Sequence, residues 1–240
     1  MARFLCLLLA FVTLAATAVR AAARPGAVTV EICEEGVPKD NSWPTQAQVT
    51  ETFHEDAFGL FELPQKYIAT GVRADRAFPT LVRATATVTL PAGRHRLLLR
   101  SRGTARLLVD GKVVLETPFD QPRQFAVGNA GELPVEEQDR YLDLGPGYRF
   151  APPGNREAWG EVTFSGAATT VVLETLVGGI EPKSKKPFRP ELGETVVAVA
   201  PEGTGEWRVL APGQASFRYT DAAWNAYAAE RRQRFEAMNA

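Results

Sequence analysis

Three side chains that could bind a metal or transfer a proton lie together in the segment TFHEDAF, namely His54, Glu55 and Asp56. In a strand, alternate side chains point to opposite faces, so His54 and Asp56 would share a face while Glu55 points away. A catalytic zinc takes three protein ligands, and at most two converge here. The other histidine of the chain, His95, lies in an arginine-rich segment. We therefore expect a solvated or hydrogen-bonded cluster at a strand end, and a metal site or acid–base catalysis is the alternative.

The sequence holds no motif for nucleophilic catalysis or dinucleotide binding. It contains no Gly-x-Ser-x-Gly, and Ser165 follows a strand pattern with no helix pattern after it. The segment GTGEW, residues 203–207, has one Gly-x-Gly but lacks the third glycine and the helix of a dinucleotide site. We therefore predict that the protein is not an enzyme.

Aromatic side chains beside planar polar ones suit the binding of carbohydrate. Sugar rings stack their C–H faces on flat side chains, and neighbouring polar groups fix the hydroxyls. The candidate ligand-binding residues of this kind lie in segments predicted to be loops, and they are Trp159, Asn155, Arg156, Trp43 and Tyr148. We expect Trp159 with Asn155 and Arg156 to form a site at one end of the fold. The alternative is that the aromatic rings plug that end.

Short strands are predicted along most of the chain. Residues 80–90, TLVRATATVTL, alternate with a period of two, which is typical of a half-buried strand. Asp110-Gly111 lies between apolar runs and matches the two-residue primed turn of a hairpin. We expect three consecutive strands of one antiparallel sheet between residues 94 and 116. Similar runs recur up to residue 219, so the predicted fold class is an all-β antiparallel sandwich.

The last twenty residues change to a helical period. Asp221 is the predicted N-cap. A stripe at spacings of three and four contains Trp224, Tyr227, Ala228, Arg231, Phe235 and Met238. Because this stripe has more apolar surface than a free tail needs, we expect residues 220–240 to be a C-terminal helix or the start of a linker that contacts another protein module. Deletion of the helix should then leave the sandwich folded.

The first residues match a secretory signal peptide. One basic residue, Arg3, precedes an apolar run from Phe4 to about Val19, and small residues offer cleavage sites up to Ala23. The run is shorter than the roughly 20 residues that a membrane-spanning helix needs. We expect residues 1–23 to be removed and the mature chain to be secreted or periplasmic, with no membrane span. The alternative is a retained N-terminal anchor.

Charge and cysteine content exclude further classes. The chain has 27 basic and 28 acidic residues, and this balance argues against a partner such as nucleic acid, which needs a strong positive field. Of its two cysteines, Cys6 leaves with the signal peptide. Cys33 then has no internal disulfide partner and is expected to be a small buried residue on a strand, with a reactive or intermolecular thiol as the alternative.

The segment ATVTLPAGRHRLLLRSRGTARLLVDGKVVLETPF, residues 86–119, resembles the central signature of the PA14 family, and TTVVLETLVGG, residues 169–179, resembles a later PA14 strand. This resemblance implies a PA14-like β-sandwich over residues 27–219. Some PA14 domains of adhesins bind sugars through calcium held by an adjacent Asp-Asp pair. Calcium is thus possible by resemblance, but the chain contains no Asp-Asp pair, so no cofactor is expected.

Residues 41–76, 149–164, 189–199 and 219–232 resemble the N-terminal region of large secreted planctomycete-type proteins that continue into cytochrome-c-like modules. Haem attachment would need Cys-x-x-Cys-His, which is absent here. Together the two resemblances and the loop aromatics predict a secreted, non-catalytic carbohydrate-binding module whose partner is a glycan or cell-surface polysaccharide. The alternative is a structural or docking domain that positions downstream modules of a larger protein.

Overall fold

The computed structural model of the chain describes residues 26–40, 42–117, 141–152, 155–180, 187–188, 192–213 and 216–239. The predicted signal peptide lies outside the described residues. The strands of the described part are β1 (Val28–Glu35), β2 (Gln48–Glu55), β3 (Gly59–Leu60), β4 (Lys66–Tyr67), β5 (Arg73–Ala74), β6 (Thr80–Val88), β7 (Gly93–Ser101), β8 (Ala105–Val109), β9 (Lys112–Glu116), β10 (Arg156–Phe164), β11 (Thr169–Val177), β12 (Gly179–Ile180), β13 (Pro187–Phe188), β14 (Thr195–Pro201) and β15 (Arg208–Val209). The helix α1 spans Asp221–Asn239.

Two antiparallel sheets form the body of the fold. Sheet A has the strand order β2-β1-β6-β11-β8-β9, and sheet B has the order β10-β7-β14-β15 with β3 paired to β14. The main core lies between them, since one cluster of buried apolar residues takes side chains from strands of both sheets. The predicted antiparallel β-sandwich with a C-terminal helix is therefore confirmed.

The predicted hairpin turn has the expected geometry. Asp110 and Gly111 both have positive φ, 46° and 76°, and together they connect β8 to β9. Glycine enters this region without a steric cost, and aspartate tolerates it better than most residues. The backbone N–H of Asp110 also donates to the carbonyl of Thr170, which ties the turn to the neighbouring strand β11.

The prediction that residues 94–116 form three neighbouring strands of one sheet is wrong. Strand β7 belongs to sheet B, whereas β8 and β9 belong to sheet A. The chain crosses between the sheets at Gly103, where a Cβ would lie 2.5 Å from the carbonyl oxygen of Leu176. An alternation with a period of two shows which residues share a face of a strand. It does not show which other strand is paired with that strand.

The central strands of sheet B are buried on both faces. On β7, Leu97 and Leu99 enter the main core, while Leu98 belongs to a second cluster on the outer side of the sheet. Every residue of β14 from Thr195 to Ala200 is also buried. Because neither face of these strands is in contact with water, the outer face of sheet B needs a cover.

Helix α1 supplies part of that cover. Its N-cap is Thr220 and not Asp221 as predicted, because the Thr220 hydroxyl accepts from the N–H of Ala223 at 3.2 Å. The predicted stripe is present, and its members Trp224, Tyr227, Ala228, Arg231 and Phe235 are all buried. The remaining member, Met238, is 63% exposed.

The helix packs too closely to serve as a free docking element. A Cβ at Gly59 would lie 2.9 Å from the Trp224 ring, and the Tyr227 hydroxyl donates to the Gly59 carbonyl at 2.8 Å. Phe235 enters the core between the sheets and meets Phe53 edge to face at 5.6 Å. The expectation that the stripe contacts another module is therefore corrected, since the sandwich itself occupies this apolar surface.

An ion pair buried on both sides fixes the helix to sheet A. Arg231 Nε donates to Glu55 Oε1, and both side chains are 0% exposed. Phe61 and Phe235 flank the guanidinium at 4.5 and 4.4 Å from its carbon. Arg234 adds a second contact to Glu55 at 3.1 Å and one to Asp56 at 2.8 Å. Burial raises the pKa of the Glu55 carboxyl, and the charge of Arg231 opposes that shift.

We expect Arg231→Ala to lower the free energy of unfolding by about 3–5 kcal/mol, because it leaves the Glu55 carboxylate buried without its main partner. Arg232→Ala is the matched control, because Arg232 is the next residue of the helix. The Arg232 side chain is 61% exposed, and its Nε lies 3.8 Å from Glu62 Oε1. An exposed pair of this kind contributes about 0–1 kcal/mol. Urea denaturation of both variants measures the difference, and equal stabilities would contradict the role assigned to the buried pair.

We also expect a chain ending at Thr220 to lose its cooperative thermal transition, because the deletion exposes the apolar surface that Trp224, Tyr227 and Phe235 cover. Circular dichroism across a thermal melt tests this. A truncated chain that melts as sharply as the intact one would restore the original expectation of a separable helix.

Candidate functional site

The outer face of sheet B involves two of the predicted site residues, Trp159 on its edge strand and Tyr148 in the segment that covers it. Residues 141–152, 205–207 and 216–219 cover it together with the start of α1. The buried members of this cover and the strand residues beneath it are Ala57, Leu98, Leu144, Val196, Ala198, Ala200, Trp207, Val209, Ala211, Tyr219, Trp224 and Tyr227. Residues 141–144 of this cover form no strand.

A second buried ion pair holds the first of these segments in place. Arg100 of β7 donates through Nε to Glu157 of β10, and both side chains are 0% exposed. Arg100 Nη1 also donates to the carbonyl of Arg149 at 2.6 Å, and the N–H of Leu142 donates to Glu157 Oε2 at 2.6 Å. Burial raises the pKa of the Glu157 carboxyl, while the charge of Arg100 opposes this.

Glu194 joins the segment, the helix and the strand β14 at one point. Arg149 Nε lies 3.0 and 2.9 Å from its two carboxylate oxygens, and the Tyr219 hydroxyl donates to Oε1. Arg149 Nη1 reaches Asp221, the first residue of α1, at 2.6 Å. These polar groups bind one another, and the network is therefore structural.

Trp159 lies in the middle of an edge strand and not in a loop. It is the fourth residue of β10 and is paired with Leu98 of β7. Its ring is on the outer face of sheet B and is 48% exposed. The expectation of a loop residue at the rim is therefore corrected, and the ring is also not the core plug that the alternative described.

The two polar partners predicted for Trp159 do not accompany it. Asn155 is 5% exposed, and its Nδ2 donates to the carbonyl of Glu194 at 2.8 Å. Arg156 precedes Trp159 by three residues, so the two side chains point to opposite faces of β10. The polar groups that do share the outer face of this edge are Glu161 and Arg94, which form an exposed ion pair.

Trp43 and Tyr148 lie away from Trp159. Trp43 packs on the outer face of sheet A beside Cys33, where its Nε1 donates to Glu116 at 2.9 Å. Tyr148 belongs to the segment that covers sheet B and contacts Arg218, whose guanidinium carbon is 5.3 Å from the ring centroid. The structure therefore does not gather the five predicted residues into one site. Cys33 itself is buried on β1, as predicted, and burial raises the pKa of its thiol.

The cluster of His54, Glu55 and Asp56 has a structural use. Glu55 ends β2 and is bound by Arg231 and Arg234, as the expectation of a hydrogen-bonded strand-end cluster required. Within the part of the chain that the structure describes, no three or more His, Cys, Asp or Glu side chains are placed to hold a metal ion. The described residues also include no helix that is long and apolar enough to cross a membrane.

Sequence reasoning missed the buried arginines. Arg100 lies on a strand face that reads Arg96, Leu98, Arg100, which is typical of a solvated face. Its burial follows from the cover supplied by distant residues, and the sequence near it carries no sign of that cover.

A recess of about 300 Å³ lies elsewhere, lined in part by Thr29, Thr85 and Thr87, and it holds no charged side chain.

No protein-family model matches the sequence, and no curated protein matches it. Several solved structures resemble the fold. A PA14 sugar-binding domain from an RTX adhesin is 12% identical, with a TM-score of 0.42, and the match covers 78% of this chain and 99% of that one. The PA14 domain of the MpAFP antifreeze protein is 8% identical, with a TM-score of 0.44 and coverages of 80% and 92%.

A third match is an anti-sigma factor domain-containing protein from Clostridium clariflavum, at 10% identity and a TM-score of 0.40, which covers 80% of this chain and 47% of that one. The chain thus spans about half the length of that protein. At these scores, none of the three likenesses bears on what the chain binds. The sandwich architecture is shown by the strands themselves, and both the PA14 assignment and the planctomycete resemblance stay predictions.

We expect two tyrosines to resist ionisation until the protein unfolds. Burial raises the pKa of both hydroxyls, those of Tyr219 and Tyr227, above the ordinary value of 10.0. The charge of Glu194 adds to this rise for Tyr219, and the charge of Glu55 adds to it for Tyr227. Since the folded pKa values exceed the unfolded ones, this stabilisation is complete below about pH 10 and is lost as the pH rises further, by about 1.4 kcal/mol per pH unit for each tyrosine.

Urea denaturation between pH 8 and 11 measures this slope, and Tyr219→Phe should reduce it. Absorbance at 295 nm follows the ionisation of the two buried hydroxyls, those of Tyr219 and Tyr227. If Tyr219 and Tyr227 titrate near pH 10 with the fold intact, the assigned burial is wrong.

Proposed function

We propose that this domain is a non-catalytic carbohydrate-binding module of an extracytoplasmic protein, with Trp159 as its stacking platform. The observation that carries the proposal is a large aromatic side chain that is 48% exposed on an edge strand. A tryptophan that the fold leaves half in water has apolar surface available to a ligand, and the flat C–H face of a sugar ring fits such a surface.

The surroundings of Trp159 match the needs of a sugar site. Glu161 lies two residues along the same face of β10, and its partner Arg94 also approaches Glu202 at 3.1 Å. These exposed side chains offer planar donors and acceptors for hydroxyl groups beside the ring. On the other side, the buried pair of Arg100 and Glu157 holds β10 against β7, so the platform is positioned before any ligand arrives.

The engagement of the buried carboxylates near Trp159 by arginines agrees with a binding role more than with catalysis. The buried carboxylates nearby, Glu157 and Glu194, each contact an arginine and are covered by residues 141–152. Neither is placed to reach a ligand on the outer surface. An open platform with one aromatic ring should bind weakly, with a Kd between about 1 mM and 1 μM.

We expect Trp159→Ala to abolish retention of the protein in affinity electrophoresis on the polysaccharides that retain the unchanged chain, while the melting temperature stays within about 2 °C because the ring is half exposed. Trp43→Ala is the matched control, since that indole lies on the opposite sheet. If the Trp159→Ala variant is still retained on every polysaccharide that retains the unchanged chain, Trp159 is not part of the site. If no polysaccharide of a broad panel retains the unchanged chain, the proposed function itself is contradicted.

One observation favours the alternative of a docking domain. The hairpin of β4 and β5 exposes three apolar side chains near its tip, with Tyr67, Ile68 and Val72 at 45%, 50% and 59%. At its base, Arg76 contacts Glu34 at 3.1 Å and Glu51 at 2.8 Å, which anchors the hairpin to sheet A. An apolar tip on a fixed base suits contact with a neighbouring module.

A further inference from the structure

Two arginines lie directly opposite each other at the other edge of sheet B. Arg208 of β15 bridges to Arg218 in the segment that precedes α1. The N–H of Val209 donates to the carbonyl of Phe217 at 2.8 Å, and the N–H of Tyr219 donates to the carbonyl of Trp207 at 3.0 Å. These bonds flank the two arginines, which makes them a non-hydrogen-bonded pair, the arrangement in which opposite side chains approach most closely.

This arrangement costs stability unless another charge relieves it. Like charges directly opposite on an antiparallel pair repel. Both side chains are exposed, and within the described residues neither guanidinium has a carboxylate within 4 Å. Glu206 is close enough to act on Arg218, but it is exposed and forms no ion pair with it among those residues. The repulsion is therefore left for a ligand or solvent ion to offset.

Neutral groups hold both guanidiniums in position. Arg208 donates to the hydroxyl of Ser216 at 3.3 Å and to its carbonyl at 2.8 Å. Arg218 lies over the Tyr148 ring and donates to the Tyr148 hydroxyl at 3.2 Å. These contacts use few of the five N–H donors of each guanidinium, so donors of both remain for one shared anion.

We propose that Arg208 and Arg218 form a second subsite, which binds the carboxylate or sulfate group of an acidic glycan. Two guanidiniums from directly opposite backbone positions suit a planar carboxylate or a sulfate, which accepts paired N–H donors. That the anion belongs to a glycan rests on the proposed function, while the anionic group itself is inferred from the arginine pair. Tyr148, predicted from the sequence as a ligand-binding residue, here orients Arg218.

The subsite is separate from Trp159. Strands β10 and β15 are the two edges of sheet B, three strand spacings or about 14 Å apart.

The near-zero net charge of the chain still argues against long-range attraction of a polyanion. A local pair needs no such field, because it acts at contact distance. Its binding should weaken between about 10 mM and 150 mM salt, as the Debye length falls from about 30 Å to about 8 Å.

Affinity electrophoresis in gels that contain polygalacturonate, dextran sulfate or a neutral glucan tests the proposal. The unchanged chain should be retarded by at least one acidic polymer, and the double variant Arg208→Gln/Arg218→Gln should bind that polymer at least about tenfold more weakly. The polymer that retards the chain identifies the anion as carboxylate or sulfate. The matched control is Arg73→Gln/Arg232→Gln, which removes the same charge from exposed positions elsewhere.

The melting temperature gives an independent reading. Relief of the repulsion should leave the double variant as stable as the unchanged chain or more stable, whereas a purely structural role for the arginines would lower its melting temperature. Retardation that is equal in the double variant and the control would overturn the subsite. If the neutral glucan retains the chain through Trp159 but neither acidic polymer does, this inference fails and the proposed function stands. If no polymer in a broad panel retains the chain, both fail.

Discussion

The burial of sheet B on both faces is the constraint on which the rest of this structure depends. The apolar run of β14 leaves no face for water, because Val197 and Val199 fill the core between the sheets while Val196, Ala198 and Ala200 form the outer face. A sandwich of two sheets can bury only one face of each strand. The outer face must therefore be covered by segments that in a simpler sandwich would be surface loops and a tail.

Buried charges follow from that cover. Once residues 141–152 lie over β7, Arg100 loses contact with water, and the fold compensates by placing Glu157 against it. The same holds where α1 crosses the end of β2 and Arg231 meets Glu55. Pairs of this kind are weak evidence for net stability, because desolvation offsets much of the Coulomb energy. They fix which segment lies over which strand.

The same constraint limits where a ligand could bind. The centre of the outer face is closed, and the two sites proposed on sheet B lie at its edge strands, Trp159 on β10 and Arg208 on β15. Both belong to regular backbone rather than to mobile loops. Sites on strands are held precisely but are flat, which suits recognition of an extended polymer more than the enclosure of a small substrate.

The sequence by itself determined the class of the fold, because a period of two, the Asp110-Gly111 turn and a terminal stripe with a period of 3.6 are local properties of the backbone. It also identified Cys33 as a buried strand residue. Only the tertiary structure decided that β7 leaves the sheet of its sequence neighbours, that α1 belongs to the core, that Asn155 is buried and that Arg156 points away from Trp159. Strand pairing, burial and convergence depend on contacts between residues far apart in the chain, and a local pattern of side chains does not contain them.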